Sequence, residues 1–278
     1  MEIRLAGEDP ADFSQGDLLF VGNATTVIRY AGITVLTDPA FMHAGEHVHL
    51  GHGMYALREV EPACQVADLP AVDLVVLSHH HGDHFDDVAA RELDKKLPIV
   101  TNDHAVGLLR EQDFTGGYAL ETWESQDVVK ADARLRVTSM PGKHAPDRVA
   151  NLLPPMMGSI LDFYAGERRR LRLYISGDTL LHERLYDIPR WYPDVDLALV
   201  HAGGTTLLGT VVTMTGEQAV RCVEIIGPRT AIPIHYNDFS VFGSGLDDFK
   251  QAAAESSVST GFHYVTHGDT YRFLPPDA

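Results

Sequence analysis

The sequence predicts a mixed α/β protein whose chemistry collects at the ends of its strands, and three observations carry that reading. Short β-branched apolar runs recur along the 278 residues. From about position 86 onward they alternate with stretches of helical apolar spacing. Several runs are followed within a few residues by a histidine or an aspartate rather than by ordinary turn residues.

The first third is strand-rich. Residues 18–21, Thr25–Tyr30 and Ile33–Thr37 are short apolar runs separated by the turn pairs Gly22-Asn23 and Ala31-Gly32. Residues 41–61 hold His43, His47, His49 and His52 among glycines with no clear period, and read as a long loop. Thereafter strands are expected at 74–77, Ile99–Thr101, 135–140, 160–164, 171–176, 197–200 and 231–234. Helices are expected at 86–97, 104–111, 180–192 (with Pro189 near its end), Gly216–Ile226 (closed by Gly227-Pro228) and 246–257. Two last strands flank Gly268-Asp269. Nothing resembles a flexible linker or a solenoid repeat, so one domain spanning 1–278 is expected.

The densest chemistry is His79-x-His81-x-Asp83-His84, directly after the buried strand at 74–77. A buried strand cannot run on into histidines and an aspartate without leaving the core, so the donors emerge at a strand end. In extended chain His79 and His81 face the same way and His80 the other, which makes His80 the poorest ligand. Gly82 permits a sharp turn that would bring Asp83 and His84 back to the same point. The bland alternatives are a tag or a solvated loop. A tag belongs at a terminus, and this string lies inside a strand-to-helix junction.

Three further donors follow apolar runs: His144 after 135–140, Asp178 after 171–176 and His235 after 231–234. Donors delivered from several strand ends at one sheet edge can meet in one cleft. Five histidines and two aspartates exceed the four ligands of one tetrahedral ion and suit two ions sharing a carboxylate. Imidazole and carboxylate without thiolate point to zinc, with manganese or iron(II) as alternatives.

Composition bounds the partners. A formal charge of -17 disfavours nucleic acid and anionic membranes. The Arg168-Arg169-Arg170 cluster reads as a solvated hairpin turn. Two cysteines, Cys64 and Cys222, form no disulfide framework and suggest a reducing compartment. Without a signal-like apolar segment at the N-terminus or a bilayer-length run, a cytoplasmic protein is expected. A homo-oligomer is compatible with all of this.

These motifs resemble the metallo-β-lactamase-fold superfamily, and within it most closely the L-ascorbate-6-phosphate lactonase-like branch of metal-dependent hydrolases. The resemblance runs from Gly22-Asn-Ala-Thr25 and Leu36-Thr-Asp-Pro39 through the histidine string. It continues through Pro141-Gly-Lys-His144, Ser176-Gly-Asp-Thr179 and Pro233-Ile-His-Tyr236, ending near Phe239. It implies an αββα four-layer sandwich with the metals at one edge of two sheets. His79, His81 and His144 would hold one ion; Asp83, His84 and His235 the other, with Asp178 bridging. Asp38 would support the metal histidines from behind; the plain alternative is a turn or cap aspartate. The chain departs from the family where Pro-Ile-Gly-Gly is usual and His201-Ala-Gly-Gly stands, and where His-Met is usual and Thr213-Met214 stands.

The function implied is hydrolysis of a small molecule, a lactone, ester or similar acyl bond, by a hydroxide bridging the two ions. Asp83, Asp178 and His201 are the expected catalytic groups, and His182, His201 and Tyr236 the expected substrate contacts. For His182 a surface or capping role, and for His201 a backbone-satisfied strand end, are the plain alternatives. Residues 41–61 follow Asp38-Pro39 and are expected to form a lid or wall. Trp123, Trp191 and Phe239 read as core before pocket; His104, His263 and His267 have no motif context. Small-molecule phosphodiester hydrolysis by the same pair of ions, or a non-hydrolytic sensor role, are the alternative functions. A redox di-iron role is disfavoured, because the flavodiiron pattern has glutamate where His81 stands. The chain has no Gly-x-Ser-x-Gly elbow, P-loop or dinucleotide fingerprint.

Overall fold

The computed structural model describes residues 2–51, 53–207 and 209–275. In chain order the strands are β1 (Glu2–Arg4), β2 (Gly16–Gly22), β3 (Thr25–Tyr30), β4 (Ile33–Thr37), β5 (His47–His49) and β6 (Tyr55–Leu57). Then come β7 (Leu74–Val76), β8 (Ile99–Thr101), β9 (Gly117–Ala119), β10 (Ser125–Lys130), β11 (Ala133–Met140), β12 (Gly158–Ala165) and β13 (Arg168–Ile175). The last are β14 (Leu197–His201), β15 (Thr206–Leu207), β16 (Thr210–Val211), β17 (Thr230–Ile234), β18 (Gly261–Phe262) and β19 (Thr270–Phe273). The α-helices are α1 (Asp87–Glu92), α2 (Asp103–Glu111), α3 (Ile188–Trp191), α4 (Gly216–Ile226) and α5 (Leu246–Glu255).

Two large sheets form the centre, ordered β19-β2-β3-β4-β7-β8-β9 and β1-β10-β11-β12-β13-β14-β17-β18. Side-chain alternation decides the layering. In β14, Leu197 and Leu199 enter the core between the sheets, while Ala198 and Val200 face the cluster built with α4 and α5. In β3, Ile28 faces the inter-sheet core and Val27 the cluster holding Ala89 of α1 and Leu109 of α2. Strands buried on both faces read as unbroken apolar runs, which is why these segments are visible in the sequence. The result is a helix–sheet–sheet–helix sandwich.

Strands β4 and β7 are parallel, as are β13, β14 and β17. Strand β11 runs parallel to β13 because each is antiparallel to β12. Within each sheet these carboxyl ends therefore share one edge, where Asp38, the histidine string, His144, Asp178, His201 and His235 emerge.

Several elements differ from expectation, each for a local reason. The helix expected at 180–192 is a 3-10 turn, Glu183–Asp187, followed by the single-turn α3. Pro189 stands in the first turn of α3, where its missing N–H costs nothing, so it begins a helix rather than ending one. Helix α1 stops at Glu92 because Leu93 turns extended and buries in the core beneath it. Residues 41–61 are not a loop throughout, since β5 and β6 pair as a hairpin. The hairpin turn near the arginine cluster is at Gly166-Glu167, and the three arginines open β13. Strands β1, β9, β10, β15 and β16 lie outside the expected runs; their apolar content is short or alternates with polar residues. Both cysteines are free. Trp191 is 74% exposed and belongs to neither core nor pocket, whereas Trp123 packs against the core formed with α4 and Phe239 is buried.

Asp86 joins the site strand to the hairpin segment. Its carboxylate caps α1 through Ala89 N at 2.8 Å and takes the N–H groups of Phe41 at 2.5 Å and Met42 at 2.6 Å. Asp86→Ala removes an N-cap and leaves two buried N–H groups without acceptors. The expected loss is about 2–4 kcal/mol, read by urea denaturation; a loss below about 1 kcal/mol would show that this junction is not structurally tight.

Candidate metal centre

The site begins where β7 leaves the core. Ser78 donates its N–H to Asp38 Oδ1 at 2.6 Å and its hydroxyl to Asp38 Oδ2 at 2.8 Å; His84 Nδ1 lies 3.0 Å from the same Oδ2. Asp38 itself sits at φ +35°, a costly backbone conformation for an aspartate, which these contacts hold in place. The chain then turns back, with His84 N and Phe85 N both donating to His81 O. Gly82 has no positive φ, so the sharp-turn argument does not apply. It is required for space, since a Cβ there would lie 2.2 Å from Val48 Cγ2 and 2.7 Å from His49 O. Asn23, in the β2–β3 turn, donates Nδ2 to Asp83 O at 2.6 Å and accepts from His235 N at 2.8 Å. It thereby fixes two donors from different sheets.

Two groups of donor atoms result. The first is His79, His81 and His144, whose ligand atoms lie within 4.8 Å of one another. His79 Nδ1 is engaged by Ser78 Oγ at 2.9 Å, and His144 Nδ1 donates to Val212 O at 3.1 Å. Their Nε2 atoms are thus left pointing at His81 Nδ1, at 3.0 and 3.4 Å. Tetrahedral coordination with metal–nitrogen bonds of 2.0–2.1 Å places ligand nitrogens about 3.3 Å apart, so the spacing fits an ion. Burial pushes all three imidazoles toward the neutral, ligating form: His79 well below its ordinary pKa, His81 down to about 3, and His144 downward.

The second group is His84, Asp178, His201 and His235, all buried. Asp178 Oδ1 lies 2.8 Å from His201 Nδ1 and 3.4 Å from His235 Nδ1, and its Oδ2 accepts from Thr213 Oγ1 at 3.0 Å. Asp83 Oδ2 lies 3.4 Å from His235 Nε2 and 3.6 Å from His84 Nε2. Burial alone would raise both carboxyls, but the surrounding imidazoles, His84 and His235 first, outweigh it and hold Asp83 and Asp178 ionised. Burial likewise pulls His84 down, and the two carboxylates overcome it to hold His84 well above its usual value. Asp83 Oδ1, His84 Nε2, His201 Nε2 and His235 Nδ1 are buried and make no hydrogen bond. Such atoms are costly unless something else satisfies them, and a cation among ionised carboxylates and imidazoles does so. The donor chemistry therefore fits a metal at both groups.

The expected substrate contacts fall elsewhere. His201 is fully buried and packs its ring on His235 at 4.9 Å; it sits among the donors and does not line the cavity. The signal was in the sequence: it follows an apolar strand as His144, Asp178 and His235 do. Tyr236 donates its hydroxyl to Val265 O at 3.0 Å, away from the cavity, and His182 precedes the 3-10 turn, also outside it. His80 turns away toward Gln112 at 3.2 Å. Two cavities adjoin the edge. One of about 580 Å³ holds His47, His49, His80 and His104 but touches the donors only at His81. One of about 280 Å³ is lined by His81, Asp83, His144 and Asp178 together, and is where chemistry can occur. Leu50, Met54 and Tyr55 of the hairpin segment wall it. His43 pairs with Glu61 at the surface, and the expectation for His52 lies outside the described residues.

A sandwich of two sheets with a three-histidine group and a histidine–aspartate group at their shared edge defines a metallohydrolase-type protein. Residues 34–236 match the family model described as a beta-lactamase superfamily domain, and the chain belongs to the metallo-β-lactamase superfamily. A UPF0173 metal-dependent hydrolase of Aeropyrum pernix is 26% identical, covering 92% of this chain and 97% of its own. That of Thermus thermophilus is 27% identical, covering 92% and 98%. Among solved structures, an isothiocyanate hydrolase from Delia radicum gut bacteria superposes with TM-score 0.76 at 21% identity, covering 93% and 99% of the two chains. Igni18, a metallo hydrolase of Ignicoccus hospitalis, does so with TM-score 0.68 at 22% identity, covering 94% and 99%. No helix among the described residues is long and apolar enough to cross a membrane.

Two outcomes are expected at this site. Elemental analysis of metal-replete protein should find two transition-metal ions per chain, with His80→Ala unchanged; one ion or fewer would count against two separate groups. Asp38→Asn should keep the fold yet weaken metal affinity roughly 10- to 100-fold, measured by chelator competition, because the ring of His84 loses the carboxylate oxygen 3.0 Å from its Nδ1.

Proposed function

We propose that the protein, a metal-dependent hydrolase of the metallo-β-lactamase superfamily, cleaves an acyl bond of a small lactone or ester. The observation that carries this reading is the convergence of His81, Asp83, His144 and Asp178 on one cavity of about 280 Å³. His79, His81 and His144 would hold one ion; His84, His235 and Asp83 the other, with Asp178 between them and His201 beside it. Zinc fits the donors, with manganese or iron(II) as alternatives. Bound ions of this kind lower the pKa of water and polarise a carbonyl.

The chain's own residues supply the rest. Thr213 and His201 fix the two oxygens of Asp178, so that carboxylate cannot rotate. Asp83 lines the cavity and would stand beside the reacting bond as a ligand of the second ion, its Oδ2 lying 3.4 Å from His235 Nε2 and 3.6 Å from His84 Nε2. Leu50, Met54 and Tyr55 line that side of the cavity. His80, His182 and Tyr236 have no part in the chemistry.

Removal of metal by a chelator should abolish hydrolysis of lactones and aryl esters, with recovery on adding zinc, manganese or iron(II). Asp178→Ala should lower kcat by at least about a hundredfold, the scale of losing a principal electrostatic group, while circular dichroism stays native. Near-normal turnover in that variant would remove Asp178 from the mechanism.

A further inference from the structure

The walls of the reaction cavity say which acyl compounds can enter. Apart from the donors His81, Asp83, His144 and Asp178, its described lining residues are Leu50, Met54, Leu153, Leu207, Val212 and Val241, with Tyr55, Thr205 and Thr206. Neither lysine nor arginine is among them. The basic residues nearest the wall in sequence are engaged with other groups: Lys143 Nζ with Asp147 at 2.8 Å, Arg58 with Ala40 O and Val60 O at 2.9 Å each, and Arg148 Nη2 with Thr210 Oγ1 at 2.8 Å. A phosphate or carboxylate borne on the substrate away from the scissile bond would lose its water against aliphatic side chains with no counter-charge, which is strongly unfavourable. An apolar chain in the same place gains from leaving water. The volume, about 280 Å³, lies just below the range of roughly 300–1,000 Å³ typical of drug-sized ligands, so the group accommodated is short.

We propose that this cavity selects an uncharged substrate with a short aliphatic or aryl acyl group, and excludes acyl groups that carry phosphate or carboxylate. The larger neighbouring cavity does not change this. It shares Leu50, Tyr55, His81 and Leu153 with the first, so these residues divide the two spaces, and Asp83, His144 and Asp178 are not among its lining residues.

The inference rests on the reading of the site as an acyl hydrolase, and the test separates the two. Metal-loaded protein is assayed with 4-nitrophenyl acetate, propanoate, butanoate and pentanoate, and with 4-nitrophenyl glutarate, which presents the same bond and leaving group with a terminal carboxylate. The expected result is a kcat/KM that rises roughly three- to fourfold per methylene and falls at least about tenfold from pentanoate to glutarate. Val241→Lys, placing a cation on a half-buried part of the wall, should shift the pentanoate-to-glutarate ratio at least about tenfold toward glutarate. A flat chain-length series, glutarate turned over as well as pentanoate, or an unmoved ratio in the variant would overturn the inference while leaving the hydrolase intact. If no ester is cleaved, the acyl-hydrolase reading fails. Calorimetry with propanamide, butanamide and pentanamide then decides the cavity's preference. Affinity increasing with chain length supports it, and equal or absent binding overturns it.

Discussion

Burying ionised carboxylates is the constraint on which the rest of this structure depends. Asp83 and Asp178 are almost wholly removed from water, and each keeps its charge only because imidazoles close around it. An isolated carboxylate in such a place would take up a proton instead. The same reciprocity raises His84 well above its usual value, with its Nε2 3.6 Å from Asp83 Oδ2 and 3.5 Å from Asp178 Oδ2. The donor set fits a divalent cation, which would satisfy the buried atoms of His84, His201, His235 and Asp83 that make no hydrogen bond.

Such a cluster needs rigid support, and the supports come from far apart in the chain. Asp38 anchors His84 and the first residue after β7; Asn23 ties Asp83 to His235; Val212 O orients His144. Arg58, fully buried, donates to Ala40 O and Val60 O at 2.9 Å each and so secures the chain on both sides of the hairpin. Three residues of this network, Asp38, Asn23 and His235, adopt positive φ. Backbone strain gathered around one site is retained only when the surroundings over-determine it, and the hydrogen bonds from two sheets do so.

The β5–β6 hairpin gives the site its shape. It packs on Phe239, Val241 and Phe242 through Met42, Val48 and Ala56, while Leu57 N donates to Ser240 Oγ at 3.0 Å. It is therefore a packed wall. Leu50 and Tyr55 of this segment, together with His81 and Leu153, line both cavities, the smaller also holding Asp83, His144 and Asp178 and the larger His47, His49, His80 and His104. Gly82 makes the arrangement possible, because any side chain there would collide with Val48.

The order of strands and helices was largely legible, because strands buried on both faces must be apolar throughout and α4 carries its own stop signal at Gly227, which adopts the left-handed cap. Seven donors were visible as polar residues that interrupt apolar runs at strand ends. Strands β1, β9 and β10 and the β5–β6 hairpin were not, since their pairing is set by distant partners rather than by their own composition. The sequence by itself determined which residues could ligate a metal and that they leave the core at one kind of place. Only the tertiary structure decided that His201 joins the donors, that Tyr236 and His182 stand away from the cavity, and that its described wall holds neither lysine nor arginine. Those facts depend on where side chains from β13, β14, β17 and the hairpin segment point once packed, and direction in space is not written in spacing along the chain.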